Sequence, residues 1–366
     1  MSIFYKNLIW IAVFAFITMI VNTQQQETVC GKKEYRTTWG WAIIAILPIV
    51  LWTMIRPANI GDTASYIEEY KKIPEIFGMF STYMKDITKD KGFYALTALI
   101  KIFITKDARI YFGILASIQA ILLIKVYRKY SIDMTVSLFL FIVSTDYISW
   151  MYNGIRQFLA VTITFACCSL ILEKKYIKVT LLILLASTIH GSALLVLPFL
   201  FVMNGEAWNK RAILFIIGII IAVAFIDQFT SILDVLLQET QYKNVISDWQ
   251  SWEDDGTNII RVLVYSVPTI LSLVGIKYIR YENNPIINMC VNASIISTGF
   301  YVISIFTSGI FIGRLPIYFS LYNYILLPWE IEHMFTKQSA KLIKILAIAL
   351  FVVFYYIQVH LTWKLV

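Results

Sequence analysis

Apolar runs of about membrane thickness recur along the chain, each closed by a short polar or basic stretch. A span needs about 20 apolar residues, and fewer where a helix is broken. By that measure spans fall near 4–22, 39–55, 109–127, 133–151, 155–173, 176–189, 190–204, 211–228, 259–279, 286–308, 315–332 and 342–361. A thirteenth apolar piece, 93–104, is short and carries Lys101. No apolar–polar alternation recurs between turns, which argues against a membrane β-barrel. The predicted fold class is all-α: a polytopic integral membrane protein of about 12 transmembrane helices plus a re-entrant or interfacial helix.

Basic loops orient such a chain, because Lys and Arg are retained on the cytoplasmic side. Candidate cytoplasmic loops carry Lys32, Lys33 and Arg36, then Lys125, Arg128 and Lys129, then Lys174, Lys175 and Lys178. Lys210 with Arg211, Lys277 with Arg280, and Lys337 with Lys341 mark the others. An even number of crossings must separate each pair. Residues 178–202 are therefore expected as two short helices meeting at His190-Gly191, and 93–104 as a piece that does not cross. The external side then holds 56–108, the turn at 152–156, His190, 229–258 and 309–314, with both termini. One transmembrane domain, 1–366, is expected, with external segments 56–108 and 229–258.

Composition agrees with this pattern. The 366 residues are 59% hydrophobic and 15% charged, with mean hydropathy +0.71, against about 25% charged in soluble domains. The net charge of +8 lies in short loops, where topology accounts for it and no nucleic-acid partner is implied. Cys30, Cys167, Cys168 and Cys290 have no C-x-x-C spacing and read as small membrane-core residues rather than disulfides or metal ligands. The first apolar run is read as a retained span, not a removed signal peptide. No Walker motif, G-x-S-x-G, H-E-x-x-H or metal-ligand spacing occurs. This chain is not an ATP-driven pump, and no cofactor or metal is expected.

Candidate chemistry comes from polar residues on the external side. The central stretch is Tyr152-Asn153-Gly154-Ile155-Arg156-Gln157, set between two long apolar runs. An arginine at mid-bilayer costs about 2.5–3.5 kcal/mol, and less near the interface, so it usually faces an aqueous cavity or an anion. Arg156 in a first helical turn also opposes the helix dipole, which favours a ligand role. Asn153, Arg156, Gln157 and Ala160 share a face. Arg56-Pro57 precedes Gly61-Asp62-Thr63 and Tyr66. Asp62 suits the N-cap of a helix to about Lys72, with Tyr66 and Tyr70 on its face. His190 sits at a break followed by Gly191-Ser192, either as a hydrogen-bonded membrane histidine or as a proton-transfer group. Arg261 opens a span, and Arg314 precedes Pro316 with Tyr318 and Tyr322 at helical spacing. Four arginines at outer helix ends suggest a bidentate anion site, since the guanidinium fork matches phosphate. In 238–258, Asp248, Trp249, Trp252, Glu253, Asp254 and Asp255 read as a solvated loop with interfacial tryptophans, or as a saccharide platform.

These motifs resemble the EpsG/Wzy-like polymerases of bacterial exopolysaccharide, capsule and O-antigen synthesis. The resemblance rests on Arg56 with Gly61-Asp62-Thr63 and Tyr66, and on Asn153-Gly154-Ile155-Arg156-Gln157 with Leu159-Ala160. It continues through Ala186 with His190-Gly191-Ser192-Ala193 and Pro198, then Arg261, and Arg314 with Tyr318-Phe319. Members often carry an acidic residue and Pro before the third helix. Here Asp90-Lys91-Gly92 stands instead, and that place is given no role. The resemblance implies a fold similar to GT-C membrane glycosyltransferases and to the O-antigen ligases. It implies donor and acceptor glycans on undecaprenyl pyrophosphate, and metal-independent transfer on the outer face of the bacterial cytoplasmic membrane. Expected partners are those lipid-linked glycans, the bilayer and a chain-length regulator protein.

On that basis Arg156 and Arg314 are expected at the pyrophosphate, with Arg56 and Arg261 in support. Asp62 or His190 would act as base, and Tyr66, Asn153, Gln157 and Tyr318 would bind substrate. The rival readings are a lipid-linked oligosaccharide flippase and a membrane O-acyltransferase using His190.

Overall fold

A computed structural model describes residues 3–237 and 256–364. The acidic, Trp-bearing stretch from Asp248 to Asp255 lies outside the described residues. A helix stands at every apolar run. Among the described residues, four helices are long and apolar enough to cross a membrane: Ala108–Tyr130, Ile155–Leu172, Pro285–Ile305 and Lys337–Thr362. Three bent pairs raise the number to 7, and Phe4–Ile20, Trp39–Met54, Tyr176–Ile189 and Gly191–Met203 are shorter apolar helices. The chain is thus a mostly helical, polytopic membrane protein. It divides into two compact units, Met1–Leu194 with Phe335–Val366, and Leu195–Met334.

The first unit contains α1 (Ile3–Ile20), α2 (Trp39–Met54), α3 (Thr63–Lys72), α4 (Phe80–Asp86) and α5 (Lys91–Phe103). It continues with α6 (Ala108–Tyr130), α7 (Met134–Val143), α8 (Ile155–Ala166), α9 (Cys168–Leu172) and α10 (Tyr176–Ile189), and ends with α19 (Lys337–Ile357). The helix α6 packs against α2 and α8, α8 against α10, and α10 against α5, while α7 packs against α1 and α19. The expected single span at 133–151 is bent. A π-helical turn, Tyr147–Asn153, leaves α7 at 73°. Gly154 then starts α8 because a Cβ there would lie 2.7 Å from the Trp150 ring.

The all-α expectation misses one element. Strands β1 (Gln24–Val29) and β2 (Lys32–Thr37) pair antiparallel, with Gln24 opposite Thr37 and Val29 opposite Lys32. Cys30 and Gly31 turn the hairpin with φ 49° and 82°, the doubly positive geometry that matches strand twist. So polar a hairpin needs outside support. Arg128, at the end of α6, forks onto the Glu27 carboxylate at 2.6 and 3.0 Å and donates to the Thr37 carbonyl at 3.0 Å. Arg36 donates to the Lys129 carbonyl at 2.8 Å. These two arginines, expected only as orientation charges, are buried structural clamps.

Lys101 is likewise explained. Its ammonium donates to the carbonyls of Tyr70, Lys71 and Ile73 at 2.8, 2.9 and 2.7 Å. Those carbonyls close α3, whose last turn lacks intrahelical donors. The short apolar piece at 93–104 falls in the helix α5, and its lysine caps a neighbour.

The second unit contains α11 (Val196–Met203), α12 (Lys210–Ala224), α13 (Ile226–Leu237), α14 (Ile259–Val274), α15 (Ile276–Glu282), α16 (Pro285–Ile305), α17 (Ile317–Ser320) and α18 (Asn323–His333). Here α16 is the core, with α11, α12, α14, α17 and α18 packed around it. Phe199, Phe215, Phe300 and Phe319 interlock beside it. Polar links run through the same core, with Thr269 bonded to Ser294 at 2.6 Å and to Thr298 at 2.8 Å. The span expected at 211–228 stops at Ala224, where the chain turns by 103°.

Candidate functional site

In the first unit, the entry to α3, the entry to α5, the entry to α8 and the exit of α10 converge. Asn153 joins the first and third. Its side-chain oxygen accepts from the Asp62 backbone N–H at 2.9 Å, and its carbonyl accepts from the Tyr66 hydroxyl at 3.0 Å. The close approach needs glycine at 61, where φ is +52° and a Cβ would fall 2.6 Å from that oxygen. Asp62 stands at the N-cap position of α3 but makes no side-chain cap bond. Its carboxylate is exposed, while Tyr66 and Tyr70 on the same helix are buried.

Arg156, in the first turn of α8, donates to the Tyr94 hydroxyl at 3.1 Å and pairs with the Asp90 carboxylate at 3.4 Å. Asp90 precedes α5 in the left-handed region, φ 50°. Burial pushes its carboxyl up, and Arg156, the Gly191 backbone N–H and Lys89 draw it back. Gly92 lets the start of α5 press on Thr188 at the end of α10, where any Cβ would collide. Burial also pushes the Tyr66 phenol up, and the nearby Arg156 opposes that shift. The guanidinium therefore lies among two phenols, the Asp90 carboxylate and the more distant Glu69, with about a third of its side chain exposed.

His190 lies beside this cluster through Gly191. It is extended and half-buried between α10 and a 3-10 turn, and its Nδ1 bonds the Ser192 hydroxyl at 2.7 Å. This is the break between short helices that the loop charges require. Gln157 is buried in α8. Arg56 is buried too, with its Nη1 on the Met151 carbonyl at 2.6 Å and its charged plane 4.0 Å from the Phe112 ring. Its Nε and Nη2 have no partner among the described residues. Burial lowers it to about 10, so it remains a cation at neutral pH.

Arg261, Arg314 and Tyr318 belong to the second unit. Arg261 is in the first turn of α14 and lies over Tyr265 at 5.4 Å. Thr257, just before that helix, takes a bond from Ser304 near the end of α16, and Gly313 packs on Thr257. Arg261 and Arg314 therefore share one end of this unit. The expected Arg314–Tyr318–Tyr322 face is divided, because Arg314 is exposed and both tyrosines are buried.

Asp90 and Tyr94 were missed from sequence. The available signal was an acid directly before an amphipathic helix, overlooked because no proline follows it. The cluster can bind an anion through Arg156 and take up a proton at a carboxylate. Among the described residues, no group of three or more His, Cys, Asp or Glu is arranged to hold a metal ion.

Comparison with curated proteins and with solved structures gives no match. The model of the EpsG family matches residues 40–364. That range runs from the first turn of α2 through α19 and takes in every candidate residue from Arg56 to Tyr318, so the chain belongs to the EpsG family.

Proposed function

We propose that the chain is a membrane glycosyltransferase that joins undecaprenyl-pyrophosphate-linked oligosaccharide repeats into a surface polysaccharide. Family membership and the apolar helices mark a membrane protein with a polysaccharide-related enzyme function. The polymerase chemistry is our inference, and the Arg156 cluster carries it. Breaking a glycosyl–diphosphate bond leaves negative charge on the departing oxygens. A guanidinium held in a partly dehydrated site stabilises that charge as it develops. Arg156 is fixed by Tyr94 and Asp90 yet still partly open, as such a role requires.

The same chemistry assigns diphosphate contacts to Arg314, with Arg56 and Arg261 in support. The unpaired, buried Nε and Nη2 of Arg56 form one edge of the fork that matches a pair of phosphoryl oxygens. Tyr66, Asn153, Gln157 and Tyr318 are assigned to orienting the glycan or the arginines. Asp62 and His190 remain the two sequence-derived candidates for the base. The basic loops favour an active face on the outside of the bacterial cytoplasmic membrane, in a single GT-C-like domain of about 12 spans. A chain-length regulator protein fits this reading as a partner.

The test is Arg156→Lys at equal expression, with surface polysaccharide resolved on a gel. Lysine keeps the charge and loses the fork. Single-repeat products in place of long chains are expected, and wild-type chain lengths would overturn the assignment.

A further inference from the structure

We propose that Asp90 is the proton acceptor of the transfer, and that Arg156 keeps it occupied until the donor diphosphate arrives. This rests on the polymerase reading above and names the base that reading leaves open. Three observations support it. First, the Asp90 carboxylate is only 8% exposed and pairs with Arg156 at 3.4 Å, whereas the Asp62 carboxylate is exposed. Second, Asp90 is fixed at its backbone by the left-handed turn before α5 and by the Gly92–Thr188 contact, and its carboxylate accepts from the Gly191 N–H. Third, the Arg156 side chain is 32% exposed and shares its Nη1 with Tyr94. Of the two partners, the guanidinium is the more exposed, and so the one an incoming diphosphate reaches first.

A diphosphate ester brings more negative charge than one carboxylate and offers paired oxygens to the fork. It draws Arg156 away, and Asp90 stays behind. The carboxylate then keeps the Gly191 N–H but loses its counter-charge inside a buried position, and it becomes a stronger base. The other charged and titratable groups around the pair are Lys89, Glu69, Tyr66 and Tyr94, with His190 next to Gly191. Lys89 and Glu69 are of opposite sign, so neither side of that surrounding replaces Arg156.

The step then balances. The acceptor hydroxyl oxygen bonds to the anomeric carbon of the donor, and its proton passes to the Asp90 carboxylate. The bond from the anomeric carbon to the diphosphate oxygen breaks, and its electron pair leaves with the lipid diphosphate, whose charge Arg156 takes up. Proton loss to water restores Asp90. In the idle protein the base is paired with Arg156, so water is not activated against a bare site.

The test uses the full chain purified in detergent, with two readouts: binding of undecaprenyl diphosphate, and elongation of a synthetic lipid-linked repeat. For Asp90→Asn, diphosphate binding is expected to be equal to or tighter than wild type, while elongation falls by about 10²–10⁴-fold, the usual loss on removing a general base. Asp90→Glu is expected to restore part of the rate and serves as the folding control. Arg156→Gln is expected to lose both readouts. In the wild type, the rate falls as pH falls, because a protonated acid accepts nothing. The acid limb of kcat is expected at higher pH than that of kcat/KM, since the bound diphosphate has removed Arg156 from the base. Elongation by Asp90→Asn within a few-fold of wild type overturns the role of Asp90 and leaves the polymerase reading standing. Joint loss of binding and elongation in that variant reduces Asp90 to a structural partner and overturns it too. A wild-type protein that neither binds the diphosphate nor elongates the repeat overturns the polymerase reading itself.

Discussion

Asn153 ties two segments of the site with one side chain and one carbonyl. Asn153→Ala removes the acceptor of the Asp62 N–H and keeps the carbonyl that receives Tyr66. Loss of such a bond costs about 1 kcal/mol. A small fall in thermal stability is therefore expected, with a much larger fall in chain length on a polysaccharide gel, because the turn that aims Arg156 is freed. Asn153→Asp keeps the acceptor oxygen and is expected to recover most of the stability. At this scale the sequence was readable wherever partners sit close along the chain. Asn153 and Arg156 stand out within four residues, against an apolar background. Asp90 and Tyr94 do not, because what gives them meaning is a guanidinium more than 60 positions away, and no local spacing encodes that.

At the scale of elements, α3 and α5 act as a pair. One carries Asp62 and Tyr66, the other follows Asp90 and carries Tyr94, and Lys101 joins them by three bonds to the end of α3. Lys101→Met keeps the length of the side chain and leaves three carbonyls without their donor. A loss of about 3 kcal/mol is expected, in the range for breaking a buried charged network. Amide hydrogen exchange in α3 is expected to quicken before exchange in α6 does, and unchanged exchange in α3 would count against the pairing. Helices long and apolar enough were legible from the sequence, as was the break at His190, because charge on the loops demands it. The hairpin was not legible. Gln24–Val29 and Lys32–Thr37 lack the alternation that marks a strand, and their support comes from Arg128 at the end of α6. The bend after α7 was equally hidden, since an apolar run looks the same whether or not it turns at Thr145, where φ is 71°.

At the scale of the molecule, the first unit is discontinuous. It opens with Met1–Leu194 and is completed by Phe335–Val366, with the second unit between them in the chain. The closing helix α19 seals it against the first. Tyr355 donates to the Phe4 carbonyl at 2.7 Å, and His360 bonds the Tyr5 hydroxyl at 2.7 Å. Expressed without 335–366, the chain leaves Tyr5 without that bond and bares α7, where α19 packs. Such a truncation is expected not to accumulate in membranes, as measured by immunoblot against the full chain. Normal accumulation would mean that the first unit closes without its last helix.

That interrupted order has a consequence during synthesis. The carbonyl of Phe4 and the hydroxyl of Tyr355 are 351 positions apart, and at ~5–20 residues per second the ribosome needs roughly 20–70 s to cover that distance. For that interval the newborn first helix has no permanent neighbour on that flank, and lipid or an insertion chaperone must shield it until the tail emerges.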